Sequence, residues 1–287
     1  MILISEFHRL YKSDGLSIEV IKQFRIIIYN YFKQKGRNFP FRKNITPYNV
    51  LVSEIMLQQT QTGRVAEKFL NFIEKFPNFN ILSEAPLEEV LKTWQGLGYN
   101  RRAIALKKIA EIVIDNYHGE LPDSVEKLKK FPQIGHNTAS SIISFAFNKP
   151  TIFIETNIRR VYIYFFFPGR NNITDKEINP ILKKTIDTTN PRKWYYALMD
   201  YGVMLKKKYP DLNKRSAHYR KQTPFKGSNR QIRGEILSIL IKNKTLKISD
   251  LREKLKEVNN EKLLTIINQL EIEGFIETEE DVVQLIK

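Results

Sequence analysis

The sequence predicts a mainly α protein, an all-helical body followed by a small C-terminal winged helix-turn-helix module. Three observations carry this reading. Apolar residues recur at helical spacing through most of the 287 residues, as in Ile21, Phe24, Ile28 and Phe32, or Val65, Phe69, Phe72, Ile73 and Phe76. Pro40, Pro47, Pro77, Pro86, Gly96, Gly98, Pro122, Pro132, Gly135 and Pro150 interrupt that pattern, cutting it into helices of about 10 to 15 residues joined by short loops. Beyond Gly234 the pattern changes to helix, short strand, helix, helix, hairpin, which is the order of a winged helix.

Taken in order, the helical stretch runs from about residue 16 to 203, and residues 1–203 are expected to form one body. Residues 204–233 carry ten basic side chains against one acidic, with scattered apolar positions, so they read as a basic connector. In residues 234–287, Ile236, Leu237, Leu240 and Ile241 mark a helix, Thr245 to Ile248 a short strand, and Asp250 to Glu257 and Asn260 to Glu273 two more helices. Gly274 then turns the chain into Phe275-Ile276-Glu277 and Val282-Val283-Gln284-Leu285, the hairpin or wing.

Composition limits the function classes. Lys+Arg 47 against Asp+Glu 31 gives a net charge of +16 on a chain that is 42% hydrophobic, so the surplus sits on a folded surface. Self-repulsion of that size is relieved by a polyanion, which puts nucleic acid first among partners and an anionic membrane second. The surplus belongs to the body and connector, because residues 234–287 hold eleven acidic against eight basic residues. Duplex DNA is therefore expected along the first two segments without needing the third, and the module is as suited to docking a protein partner as to reading DNA. The chain has no cysteine, which removes disulfides, thiol nucleophiles and cysteine-held zinc or iron-sulfur clusters. His8, His118, His136 and His218 lie far apart without metal-ligand spacing, so no metal is expected. No apolar run spans a bilayer and no leader pattern opens the chain, which reads as cytoplasmic, at the nucleoid.

The most informative segment is Ser124 to Phe147. A helix marked by Val125, Leu128 and Phe131 meets Pro132-Gln133-Ile134-Gly135, and a second helix starts at His136-Asn137-Thr138-Ala139. Such a turn aims backbone N–H groups out of a helix N-terminus and can grip a phosphate without reading sequence, although any helical protein contains hairpins of two helices.

The following run, Lys149-Pro150-Thr151-Ile152-Phe153-Ile154-Glu155-Thr156-Asn157-Ile158-Arg159-Arg160-Val161, resembles the helix-hairpin-helix DNA glycosylase superfamily, known as HhH-GPD. More narrowly the chain looks like the MutY-type adenine DNA glycosylases. Asn38-Phe39-Pro40-Phe41-Arg42 is similar to that family's entry motif, and Pro47 to Gln61, with Glu54 and Gln58-Gln59-Thr60-Gln61, to its signature helix. Trp94-Gln95-Gly96-Leu97-Gly98-Tyr99 matches its wedge region. The resemblance covers about Ile21 to Gly202 and implies a two-lobed helical body that excises a base from DNA.

Base excision takes a nucleotide out of the stack, so something must fill the gap and face the orphaned partner. By resemblance Gln59 and Tyr99 intercalate, with Leu97 and Gln58 beside them. Core packing is the competing reading for Leu97 and Tyr99. Gln133, Gly135 and Asn137 of the hairpin, with Arg42, Arg101 and Arg220, are the expected DNA contacts, and the hairpin is a site for a monovalent cation. Breaking the N-glycosidic bond leaves positive charge on the sugar, which a carboxylate stabilises. The resemblance assigns that carboxylate to Glu155, with Asn157 beside it, and the acid that protonates the departing base to Glu54. One of the pair should be ionised and the other protonated. Lyase-competent relatives carry a Schiff-base lysine where this chain has Asn137, and Lys149 does not match that position, so hydrolysis without strand cleavage is expected.

Four departures stand out. Glu155 replaces the family aspartate and Thr156 a glycine; Gln133 replaces the first hairpin glycine; Met199-Asp200-Tyr201-Gly202 leads into the basic connector where relatives have four cysteines around an iron-sulfur cluster; and the winged helix stands where MutY enzymes have a Nudix-like domain. The connector, with Arg215, His218, Tyr219, Arg220, Lys221, Arg230 and Arg233, is expected to replace the cluster loop as a phosphate contact. The leading expectation is a monofunctional glycosylase acting on adenine opposite guanine or 8-oxoguanine. The alternatives are a glycosylase for a mispaired or damaged pyrimidine (thymine or uracil), and a catalytically silent mispair-binding protein.

Overall fold

The structure is a computed structural model that describes residues 4–221 and 224–286; the outermost residues of the expected domains, 1 and 287, lie outside it. The helices of the body are α1 (Ile4–Asp14), α2 (Ile18–Lys35), α3 (Pro47–Leu57), α4 (Thr62–Lys75), α5 (Phe79–Glu84), α6 (Leu87–Trp94), α7 (Arg101–Tyr117), the single turn α8 (Val125–Leu128), α9 (His136–Phe147), α10 (Thr156–Phe166), α11 (Asp175–Thr185) and α12 (Pro191–Lys208). The C-terminal module follows as α13 (Asn229–Asn243), β1 (Thr245–Lys247), α14 (Ile248–Lys254), α15 (Asn260–Ile272), β2 (Ile276–Glu279) and β3 (Val282–Leu285). Mainly helical with a small winged helix at the end, the fold is the one the sequence predicts.

Two boundaries fall elsewhere than expected. Helix α12 continues beyond residue 203 to Lys208, because its last turn is Lys206-Lys207-Lys208 and cations there complement the carbonyl end of the helix dipole. Helix α13 begins at Asn229 and passes through Gly234. Ser228 caps it by accepting from the Gln231 N–H, and one interior glycine costs only about 1 kcal/mol, less than the packing of Ile232, Ile236, Leu237 and Leu240 returns. The last residues of the basic stretch thus belong to the module.

The chain divides into two compact units, each discontinuous in sequence. The first comprises Met1–Pro47, Asp123–Lys130 and Ile134–Lys221. Its core is aromatic: Phe24 lies 4.9 to 5.6 Å, centroid to centroid, from Phe166, Phe165, Tyr162 and Trp194, and Phe7 closes the cluster 5.1 Å from Phe165. These rings come from α1, α2, α10 and α12, so burying them sets the seat of α10 and of whatever its N-terminus carries.

The second unit comprises Tyr48–Pro122, Phe131–Gln133 and Gln222–Lys287. Helix α3 is apolar on nearly all sides, with Tyr48, Val50, Leu51, Val52, Ile55 and Met56 buried, and so runs through the interior. Elsewhere in this unit Trp94 and Phe72 pack edge to face at 5.9 Å. The module has its own apolar centre of Leu240, Leu251, Leu263, Ile266, Leu270, Phe275 and Val283, all buried, under a three-stranded antiparallel sheet of order β1-β3-β2. Helix α13 also touches α6. Among the described residues no helix is long and apolar enough to cross a membrane.

Candidate active site

In the first unit the residues expected from the hairpin and from the run after it come together. Glu155 is the N-cap of α10. Its Oε1 accepts from the backbone N–H of Asn157 at 2.8 Å and of Ile158 at 2.9 Å, and its Oε2 accepts from the Asn157 amide at 3.1 Å. These are orphan donors of a first helical turn, which a carboxylate suits in both hydrogen bonding and dipole. The residue keeps some exposed surface, yet protein encloses its carboxylate. Burial therefore raises its pKa above the ordinary carboxylate value, against the opposing pull of those three hydrogen bonds and the nearby Arg160 charge. Asn137, exposed in the first turn of α9, donates its amide to the carbonyl of Ile154 at 3.1 Å and so braces the residue before Glu155. Gly135 caps α9 with extended backbone (φ −86°, ψ 178°), and a Cβ there would meet nothing within 4 Å, which leaves the helix N-terminus open.

Asn157 is held in turn by Arg160, whose Nη1 donates to Asn157 Oδ1 and to the Gly202 carbonyl, each at 2.7 Å. Gly202 is the residue that sequence reading left without a task. A Cβ on it would lie 2.4 Å from the Asn157 carbonyl oxygen and 2.7 Å from the Asn157 Cβ, so only glycine lets α12 approach the start of α10. We expect Gly202→Ala to cost about 1 to 3 kcal/mol of stability. We expect it also to slow any chemistry at Glu155 by about 100-fold, since it displaces Asn157 by the order of 1 Å; denaturant melts and single-turnover rates check both.

Two residues earlier on the same helix, Asp200 corrects the expectation for Arg42. Asp200 is 1% exposed and its two oxygens take Arg37 Nε at 2.7 Å, the Arg37 N–H at 2.7 Å and both terminal nitrogens of Arg42 at 3.0 and 3.1 Å. The Arg42 guanidinium also lies 4.3 Å from the Tyr196 ring centroid. A buried carboxylate needs this compensation, so Arg42 is a structural partner rather than a DNA contact.

In the second unit the expected wedge residues converge on one polar cleft. Gln59, Tyr99 and Gln133 all have positive φ, at 54°, 48° and 61°. A left-handed non-glycine residue costs on the order of 1 kcal/mol or more, and three together at one place mark a site whose shape is imposed by its surroundings. Gln133 thus adopts the conformation for which the hairpin usually supplies glycine. Its carbonyl accepts from Gln58 Nε2 at 3.2 Å. Gln59 is exposed and Tyr99 half-buried. Leu97 differs: it is 2% exposed, its side chain serving as an inner wall of the turn while its carbonyl accepts from Thr60 Oγ1 at 3.2 Å. Burying a leucine is worth about 1.5 to 3 kcal/mol, which decides against its expected place beside the intercalating pair.

What imposes the shape is Arg102, which sequence reading did not separate from Arg101. Arg102 is 3% exposed. Its Nη1 donates to the carbonyls of Ile55, Met56 and Gln58 at 2.9, 2.8 and 2.6 Å; its Nη2 donates to Thr60 Oγ1 and the carbonyls of Gly98 and Leu97 at 2.9, 2.8 and 3.2 Å. One guanidinium therefore closes the carbonyl end of α3 and both wedge turns. Desolvation lowers its pKa to about 10, which still leaves it charged at neutral pH. The signal was in the periodicity: Arg102 heads the buried stripe Leu106, Ile109, Ala110 and Val113 of α7. Arg101, one position round, is exposed and ion-paired to Glu273.

Glu54 stands on α3, half-buried among Val50, Leu51, Val52 and Ile55. In the connector Arg220 and Tyr219 are exposed, the latter by 45%. Arg215 instead donates to the carbonyls of Phe167 and Arg170, and Arg233 pairs with Glu273, so these two are tied to protein, while His218 stays exposed with its Nε2 accepting the Asp175 N–H at 3.2 Å. A chain without cysteine cannot hold the thiolate-ligated cluster that the family resemblance implies after Gly202. That stretch is occupied by the end of α12 and a 3-10 turn, Pro210–Arg215. Among the described residues no group of His, Asp or Glu is placed to bind a metal.

Residues 52–187 match the profile of HhH-GPD superfamily base excision DNA repair proteins. An adenine DNA glycosylase of Buchnera aphidicola subsp. Baizongia pistaciae is 39% identical over 181 residues, 62% of this chain and 50% of its own length. Another, of Buchnera aphidicola subsp. Acyrthosiphon pisum, is 34% identical over 188 residues, 63% of this chain and 53% of its own. The chain spans about half the length of the curated relatives it matches. Among solved structures, a thermostable thymine-DNA glycosylase superposes with a TM-score of 0.58 at 26% identity, over 64% of this chain and 86% of that one.

Proposed function

For a chain whose residues 52–187 match the HhH-GPD superfamily of base excision DNA repair proteins, we propose the activity of a monofunctional DNA glycosylase. It acts in base excision repair on mispaired or damaged double-stranded DNA, first on adenine opposite guanine or 8-oxoguanine. The observation that carries this is Glu155: an enclosed carboxylate at the start of α10, oriented by two backbone N–H groups and by Asn157, which is itself pinned by Arg160.

The chemistry follows from that placement. The bond between the sugar C1′ and the base nitrogen breaks with its electron pair leaving on the base, and Glu54 delivers a proton to a ring nitrogen of the departing purine. The ionised Glu155 stabilises the oxocarbenium-like sugar and takes a proton from the water that adds to C1′. Gln59 and Tyr99 fill the vacated place in the stack. Where a lyase would form a Schiff base, Asn137 offers an amide engaged with Ile154, so the product is an abasic site in an uncut strand.

The solved thymine-DNA glycosylase that resembles this chain favours a second reading, removal of thymine or uracil opposite guanine. Glu54 supports the purine, because protonating a ring nitrogen chiefly assists purine departure. Oligonucleotide duplexes carrying A opposite G, 8-oxoguanine or C, and T or U opposite G, separate the two when abasic-site formation is measured with Glu54→Gln and Glu155→Gln as controls. Excision of adenine lost in both variants is the expected result. Excision of T or U alone would replace the substrate, and no product from any duplex would leave a mispair-binding protein.

A further inference from the structure

A cleft of about 1150 Å³ opens inside the second unit, between the wedge turns and α13. Gln59, Tyr99 and Arg101 lie along one side; Phe225, Asn229 and Arg230 line the other. Three observations concern that second side. Arg230 donates from Nη1 to the Tyr99 hydroxyl at 2.7 Å, and its guanidinium lies 5.6 Å from the Tyr99 ring centroid. Glu273, at the end of α15, ion-pairs with Arg101 of α7 and with Arg233 of α13 at once, which fastens the module to the wedge by charge. Phe225 is 62% exposed although it lines this arginine- and amide-rich surface, an apolar ring displayed where a core would have hidden it.

We propose that this cleft seats the nucleotide left without a partner in the opposite strand, with Phe225 stacking on its base and Arg230 hydrogen-bonding to the base edge. The inference rests on the glycosylase reading, in which Gln59 and Tyr99 enter the stack. Side chains that fill a flipped base's place lie directly beside its former partner, and the cleft begins at those side chains. A planar guanidinium fork matches the O6 and N7 acceptor pair of guanine, and an exposed ring offers a face to any base. The C-terminal module then takes part in choosing the substrate through α13, whose basic first turn sets it apart from the otherwise acidic module. This revises the expectation that DNA need not touch the module.

The test uses the full chain and duplexes in which a stable abasic-site analogue stands opposite guanine, 8-oxoguanine, cytosine or a second abasic analogue, with affinity read by fluorescence anisotropy at one fixed salt concentration. Arg230→Gln and Phe225→Ala should each weaken binding by about tenfold when a base is opposite and by no more than about twofold when the opposite position is also abasic. Arg230→Lys, which keeps the charge and loses the fork, should show the same dependence on the opposite base as Arg230→Gln. Equal weakening on both kinds of duplex would reduce the two residues to backbone contacts or to structure, and unchanged affinity would remove them from the site. Tighter binding by Arg230→Gln would make Arg230 a latch on Tyr99. Each of these results overturns the proposal. Because the probes carry no base to excise, a wild-type chain that binds them with this dependence but forms no abasic sites would sink the enzymatic reading and leave the cleft assignment standing.

Discussion

Glu155→Gln should lower the rate of base excision by about a thousandfold or more while the protein stays folded and gains stability relative to wild type as pH rises from the carboxylate range to neutral. The rate falls because the amide keeps the shape and the cap but not the charge, and one preorganised electrostatic stabiliser is worth on the order of 100 to 1000-fold; loss of the water-activating base adds to that. The gain in stability follows from the direction of the pKa shift. Burial holds the folded-state pKa of Glu155 above its ordinary value, so the folded protein binds this proton more tightly than the unfolded chain does. At neutral pH the ionised carboxylate therefore costs stability. The cost shrinks as pH falls through the raised pKa and is gone below the unfolded value. Glutamine removes that charge cost but sets an NH2 against the Asn157 amide that Oε2 accepts from, so its melting temperature relative to wild type should be highest at neutral pH and fall toward the carboxylate range. The wild-type rate should fall along the same acid limb. Glu155→Asp, which can still cap α10, should retain activity at a reduced rate. A glutamine variant as fast as wild type would remove Glu155 from the chemistry.

Arg102→Met should destabilise the protein by about 3 to 5 kcal/mol, the cost of breaking a buried charged network from one side. The loss comes less from the arginine than from what it leaves behind. The carbonyls of Ile55, Met56, Gln58, Leu97 and Gly98 and the Thr60 hydroxyl lose their common donor, and unsatisfied buried acceptors cost about 1 to 3 kcal/mol each where water cannot reach them. Arg102→Lys retains the charge but offers no planar fork, so it should recover only part of the stability. The wedge gives a readout that a general loss of stability does not. At a temperature where Arg102→Lys is fully folded, its affinity for duplexes with an abasic-site analogue should fall by about tenfold, because Gln59 and Tyr99 are no longer held in their left-handed backbone conformations. A folded Arg102→Lys protein that binds these duplexes as well as wild type would show that the wedge holds its own shape.

The helices and the order of the C-terminal module were legible because each rests on local information, apolar spacing and turn residues. Glu155 and Asn157 were legible only through the resemblance to a family motif; the donors that hold Glu155, the N–H groups of Asn157 and Ile158, came with the structure. Arginine is where reading failed. Arg42, Arg101, Arg102, Arg215 and Arg220 are the same residue in a basic chain, yet one serves a buried aspartate, one a surface ion pair, one the carbonyl end of α3, one the carbonyls of Phe167 and Arg170, and one stands exposed. A side chain that long reaches partners far away in sequence, so its neighbours in the chain do not identify them.

By itself, then, the sequence determined what depends on spacing and composition: a helical chain with a winged module, a positive surface that calls for a polyanion, a hairpin, and a carboxylate at the start of the following helix. Tertiary structure alone decided which charges were already spent. Of the excess of 47 basic over 31 acidic residues, Arg42, Arg102, Arg160 and Arg233 are consumed inside the protein by Asp200, by carbonyls and by Glu273. It also decided that Gly202 must lack a side chain and that Arg230 stands at Tyr99. The physical reason is the same in each case. A local pattern reports which face of a helix is buried, but the partner of a buried polar group is set by which distant backbone arrives there, and that is known only once the chain has packed.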